Sequence, residues 1–226
     1  MTILDQSLGQ LARSIPGATA IFHKYQLDFC CGGKHSLREA AAARALDAES
    51  LAEELQALAP ASEGQDWNNL SDVELIEHIL TRYHDVHRQQ LPELIRLAQR
   101  VELVHGGHTE CPVGLTAHLE AMQQELEKHM RKEEQILFPM ISQGMKGMAV
   151  QPVAMMRHEH DDHGQALAKI ERITRDITLP KGACNTWRAL YLGLATLQAD
   201  LMNHIHLENN ILFDRIDGQL EGARHG

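Results

Sequence analysis

"HMRKEEQILF" (residues 129–138) returns 75 residues later as "HIHLENNILF" (residues 204–213), and this echo decides how the chain reads. In each copy a histidine precedes a glutamate by four positions, His129 with Glu133 and His204 with Glu208. Residues four apart lie on one face of a helix and can reach one ligand together. A second pair of stretches, "HDVHRQQL" (84–91) and "HDDHGQAL" (160–167), repeats at a shift of 76. Each half of this region is therefore a helical hairpin with a histidine on its first helix and H-x-x-x-E on its second.

Two-fold packing of such hairpins brings His84, His129, Glu133, His160, His204 and Glu208 toward one buried point. A single H-x-x-x-E pair is an ordinary solvated face. The matched duplication, with a partner histidine in each half, selects metal binding instead. Nitrogen and oxygen ligands without a matching thiolate disfavour a closed structural zinc site and fit a carboxylate-bridged di-iron or di-manganese centre in a helix bundle. If both glutamates bridge, each six-coordinate metal has two imidazoles, two carboxylate oxygens, an oxo or hydroxo bridge and about one open position. Open positions on both metals suit a small diatomic ligand. The repeat also chooses between neighbouring carboxylates, because Glu133 returns as Glu208 whereas Glu134 returns as Asn209.

His87 and His163 stand three residues after proposed ligands, and Glu159 stands beside His160. The two histidines read as groups supporting the ligands or as alternative ligands, and Glu159 as a residue for proton delivery or channel lining, with a merely polar role standing equally beside these for all three. His78, His105, His108, His118, His158 and His206 have no counterpart at the repeat offset or fall in loops, and are expected at the surface. Met145, Met148, Met155 and Met156 read as core or loop residues. Cys111 and Cys184 lie near predicted helix starts and are expected to pack in the interior.

The hairpins occupy the larger part of the chain. A polar break, "PASEGQDW" (60–67), separates a small helical domain over residues 1–60 from a bundle over residues 69–220. Ser36 with Glu39, and Ser71 with Glu74, have capping-box spacing at the start of helical patterns. The long first helix after the break is expected to kink at Pro92 and to end at Gly106 and Gly107. Three more helical stretches follow, roughly 113–143, 152–178 and 184–216, separated by "QGMKGMAVQ" and "LPKGA". The fold class is all-α, an antiparallel four-helix bundle preceded by a small helical domain.

Composition agrees with this and narrows the partners. The chain has 226 residues, enough for a substantial core, and only 4 % aromatic residues. A formal charge of −10 without a Lys/Arg cluster argues against nucleic acid and anionic membrane as partners. The N-terminus has no basic start leading into an apolar core, so a cytoplasmic protein is expected, with reduced cysteines.

"DFCCGGKHSL" (28–37) is the second distinctive stretch. Adjacent Cys30 and Cys31 form a mutual disulfide only with strain. Two readings stand side by side: a reactive pair whose thiol pKa a nearby helix N-terminus lowers, or a corner that buries two small residues.

With "YQLDFCCGGKHSL" ahead of "YHDVHRQQLPEL", "HMRKEEQILFPMI", "HEHDDHG" and "HIHLENNILF", nearly the whole chain resembles the repair-of-iron-centres family. The resemblance implies a hemerythrin-like four-helix bundle that binds two non-haem iron ions, carboxylate-bridged with an oxo or hydroxo bridge. It implies metal ligands at His84, His129, Glu133, His160, His204 and Glu208, and the family's cysteine pair at Cys30 and Cys31, with a redox or transfer role. It implies restoration of iron–sulfur clusters damaged by nitric oxide or oxidants, through iron donation or reduction of nitric oxide to nitrous oxide. The partners implied are nitric oxide, damaged iron–sulfur proteins and an electron donor, for a monomer or homodimer. The competing readings are a hemerythrin-like oxygen or nitric oxide carrier or sensor, and an iron store or ferroxidase. Between the halves Pro139 becomes Asp214, outside the ligand set.

Overall fold

The structure is a computed structural model describing residues 2–15, 17–58 and 67–217; most of the predicted break, residues 60–66, and the predicted end of the bundle lie outside the described residues. Contacts divide the chain into two compact units, Met1–Ile76 with Met202–Gly226, and Glu77–Leu201. Among the described residues there is no strand, and no helix is long and apolar enough to cross a membrane.

In the first unit, short helices are set by their caps. Helix α1 (Leu8–Ser14) starts at a capping box of Ser7 and Gln10, and α3 (Leu37–Ala43) starts at the predicted box of Ser36 and Glu39. The two cap residues face one another across an antiparallel bridge, with Leu8 N–H donating to His35 O at 2.9 Å and Leu37 N–H to Gln6 O at 3.0 Å. Helices α2 (Ala18–Lys24) and α4 (Ala48–Leu58) complete the small domain. Leu8, Leu11, Phe22, Leu27, Phe29 and Leu55 are buried in its core, against which Met202 also packs. The alanine-rich stretch before residue 58 is broken between α3 and α4. Ala45 adopts φ 53°, and Asp47 accepts the N–H of Glu49 and the hydroxyl of Ser50 at the start of α4.

The remaining helices are α5 (Asp72–Ile79), α6 (Asp85–His105), α7 (Leu115–Lys132), α8 (Phe138–Ser142), α9 (Lys146–Thr174) and α10 (Asn185–Leu207). Four of them, α6, α7, α9 and α10, make the antiparallel hemerythrin-like bundle. The Ser71–Glu74 box caps α5 as its spacing predicts. Apolar stripes recur every three or four residues, including Leu91, Leu94, Ala98 and Val101 on α6 and Leu115, Leu119, Met122 and Leu126 on α7. Gly193 on α10 lets α6 approach closely, since a Cβ there would stand 2.6 Å from Leu94 Cδ2. Polar clamps add to this: Asp200 accepts from Arg82 at 2.6 Å and from Gln90 at 2.9 Å, and Gln198 donates to Glu171 at 2.5 Å.

One expectation needs correction. The stretch "QGMKGMAVQ" is not all loop, because α9 begins at Lys146 and continues through Pro152. The first long helix runs on as α-helix through Pro92, and a π-helical turn at Leu80–His84 precedes it. Two more π turns follow, Glu133–Leu137 and Glu208–Leu212, again 75 residues apart. Each adds a residue to the turn and rotates the side chains that follow.

Candidate metal centre

All three π turns carry a proposed ligand, with His84 last in the first turn and Glu133 and Glu208 first in the others. In the second unit, four of the predicted groups come together. His84, Glu133 and His160 are fully buried and His129 is 1 % exposed. Glu133 Oε2 lies 3.4 Å from His84 Nε2 and Oε1 lies 3.3 Å from His129 Nε2, while His129 and His160 bring their Nε2 atoms to 3.1 Å. In the first unit, His204 and Glu208 form the matching i,i+4 pair, with His204 Nε2 3.1 Å from Glu208 Oε1 and both residues buried. Within each unit these residues offer ligand atoms within 4.8 Å of one another where they share a group, the spacing a bound cation needs.

The far side of each ring explains its orientation. A carboxylate can only accept, so His84 Nδ1–H donates to Glu134 Oε1 at 2.8 Å and His129 Nδ1–H donates to Glu159 Oε2 at 2.9 Å. With Nδ1 carrying the proton, the neutral form of each ring would direct its Nε2 lone pair toward Glu133, the tautomer a metal-binding histidine needs. A lone pair on His129 facing Nε2 of His160 is satisfied by a proton or a shared cation. Burying the Glu133 carboxylate costs several kcal/mol unless positive charge accompanies it. The donor set therefore fits a hard or borderline cation such as iron.

Glu134, which the repeat leaves either solvated or behind the ligands, thus holds His84, and Arg88 holds Glu134 at 2.9 Å. Arg88 also reaches Glu127 at 2.9 Å. Glu159 is paired with Lys132 as well as His129, and its hydrogen bond to His129 leads in holding its carboxyl down at about 2. At neutral pH Glu159 is ionised and an acceptor. It and His163 line a cleft of about 470 Å³ between α7 and α9. His163 is buried and packs edge-on to His129 at 4.8 Å, and buried His87 meets Gln90 at 3.3 Å. Among the described residues, neither belongs to a group with metal-ligand spacing.

The cysteine pair lies in the first unit in a setting different from the reactive-thiol reading. Cys30 is 4 % exposed and its thiol is pushed well up, first by the hydrogen bond with Cys31, then by burial and the Asp28 carboxylate. Asp28, which sequence reading passed over, belongs with the pair: its Oδ1 accepts the N–H groups of Cys30 at 3.2 Å and Cys31 at 2.9 Å. The carbonyl of Cys30 accepts from Asn209 at 3.1 Å. His206, expected at the surface, is buried against Phe29 with ring centroids 5.6 Å apart, and burial lowers its pKa to about 4. Cys184, expected inside, is exposed with Sγ 3.2 Å from His105 Nε2, and Cys111 is half-buried. Both sit in the connections ahead of α10 and α7, where the apolar stripe has not begun.

Residues 75–216 match the hemerythrin HHE cation-binding domain, and residues 4–59 match ScdA_N, a domain of unknown function. The iron–sulfur cluster repair protein YtfE of Dickeya chrysanthemi is 54 % identical over 213 residues, covering 93 % of this chain and 96 % of that protein. YtfE of Cronobacter sakazakii is 53 % identical, with 95 % and 97 % covered, and that of Citrobacter koseri is 51 % identical, with 95 % and 98 % covered. Similarity at this level over nearly full length, together with the cation-binding domain, means that the chain belongs to the YtfE family of iron–sulfur cluster repair proteins.

Proposed function

We propose that this is a cytoplasmic stress-response protein that repairs iron–sulfur clusters damaged by nitric oxide and oxidants. In this reading His84, His129, Glu133, His160, His204 and Glu208 hold two iron ions, with both glutamates bridging. The carrying observation is the burial of Glu133 among three imidazoles whose Nε2 atoms turn toward it or toward each other. The 75-residue repeat supports adding His204 and Glu208, and the cation-binding family region, residues 75–216, contains all six residues.

Two ferrous ions held there would supply two electrons, enough to convert two nitric oxide molecules and two protons to nitrous oxide and water, with an electron donor restoring them. The protein's own residues set the conditions. Glu134 and Glu159 fix the tautomers of His84 and His129, the hydrogen bonds from His129 and Lys132 keep Glu159 charged, and the buried carboxylates would hold cations without a thiolate. An iron ion released from such a site is also the cargo a damaged cluster needs. Relatives that carry the name iron–sulfur cluster repair protein support this reading over an oxygen carrier. The test is Glu133→Leu combined with Glu208→Leu, assayed for bound iron and for anaerobic nitric oxide turnover. Loss of iron and turnover is expected; retention of both would sink the ligand assignment.

A further inference from the structure

We propose that Asp28, Cys30 and Cys31 form a second cation site, with thiolate chemistry, for a thiophilic divalent cation such as Fe(II). Cys30 Sγ lies 3.7 Å from Cys31 Sγ and 3.2 Å from Asp28 Oδ1, and one ligand atom from each residue falls within 4.8 Å of the others. Metal–sulfur bonds of about 2.3 Å in a tetrahedron place two sulfurs about 3.8 Å apart, and a carboxylate oxygen at about 2.0 Å lies about 3.5 Å from each sulfur. The observed spacings are within a few tenths of an ångström of these. Three protein ligands leave a fourth position, the arrangement of sites that exchange a ligand rather than closed structural ones. The surroundings agree, since Cys30 is buried, Cys31 half-buried and Asp28 exposed, which leaves one side open to solvent.

The loop bearing the three ligands is fastened to the turn that follows Glu208. Asn209 Nδ2 donates to Cys30 O at 3.1 Å, and Asn210 Nδ2 donates to Phe29 O at 3.2 Å. Asn210 is seated on two glycines, because a Cβ at Gly9 or Gly33 would stand 2.6 or 2.8 Å from its Oδ1. Arg13 closes the seat by donating to Asn210 O at 2.9 Å. The repeat shows what is special here. Asn209 stands where the first half has Glu134, so the residue after the glutamate orients a histidine in one half and fastens the cysteine loop in the other. Binding releases the thiol protons as sulfur–metal bonds form, with no change of oxidation state. The site does not depend on the six-residue ligand set, which contains no sulfur, so either proposal can fail alone.

The test is anaerobic Co(II) titration of the full-length protein, loaded with two equivalents of iron and then oxidised and desalted so that the cysteine site is free of Fe(II), in a Cys111→Ser Cys184→Ser background, read by the thiolate-to-cobalt charge-transfer band. One saturating equivalent per chain is expected. The band is lost in Cys30→Ser and in Cys31→Ser, the latter a milder change at a half-buried residue, while far-ultraviolet circular dichroism and bound iron stay unchanged. Asp28→Asn, and Asn209→Ala with Asn210→Ala, should keep the band and weaken binding by about tenfold or more. Absence of the band, or its survival in both serine variants, would overturn the site. Unchanged affinity in the double asparagine variant would overturn the fastening role.

Discussion

Glu134→Leu should loosen iron without removing any of the six proposed ligands. Glu134 Oε1 is the 2.8 Å acceptor for Nδ1–H of His84, a fully buried ring. Leucine leaves that N–H buried without its acceptor, a cost of about 1–3 kcal/mol. The ring can escape by rotating or changing tautomer, and either change turns the Nε2 lone pair away from Glu133, so iron affinity should fall about 10–100-fold. Arg88 keeps Glu127 at 2.9 Å, so the surface ion pair survives the change. Glu134→Gln is the control, since its amide oxygen can still accept, and it should stay close to the parent. The assay is equilibrium competition and release kinetics against a ferrous chelator, at equal helicity. Iron retention by the leucine variant equal to that of the parent would refute this role, and so would a glutamine variant as damaged as leucine.

Gly33→Ala should destabilise the first unit by about 1–3 kcal/mol in chemical denaturation, because its Cβ would meet the Phe29 carbonyl oxygen at 2.6 Å and backbone has to move. Stability that rises with pH through the histidine range is expected from His118, whose pKa is lowered below 6.5 by burial, with Lys169 and Arg172 adding to the effect against the hydrogen bond to Ala166. The unfolded chain binds the proton more readily, so this contribution is fully present above pH 6.5 and is lost as pH falls through the folded value. His118→Gln should flatten that slope in denaturation midpoints measured across the range; an unchanged slope would contradict the reading.

The repeat made the bundle and its candidate ligands legible, because helix periodicity and i,i+4 ligand pairs are both written directly in residue spacing. The π turns were not legible. Nothing in "EEQIL" or "ENNIL" announces an extra residue per turn, yet that extra residue rotates the side chains after Glu133 and Glu208. Glu134 stands open between solvation and a place behind the ligands, since on a regular helix the two roles cannot be told apart. The return of Glu134 as Asn209 argues against Glu134 as a ligand, but the partner of Asn209, the Cys30 carbonyl, is invisible from sequence. Asp28 carried a signal that could have been used: an Asp two residues before a cysteine pair can accept both of their backbone N–H groups. The burial of His206 depended on Phe29, far away in sequence.

The most direct test of the central claim is metal analysis of the anaerobically iron-loaded Cys30→Ser Cys31→Ser protein, in which iron is held by the six-residue set alone, with Mössbauer spectroscopy of its oxidised form. A pair of irons bridged by Glu133 and Glu208 should give two iron ions per chain, antiferromagnetically coupled to a diamagnetic ground state. A single iron per chain, or two uncoupled high-spin ions, would contradict it.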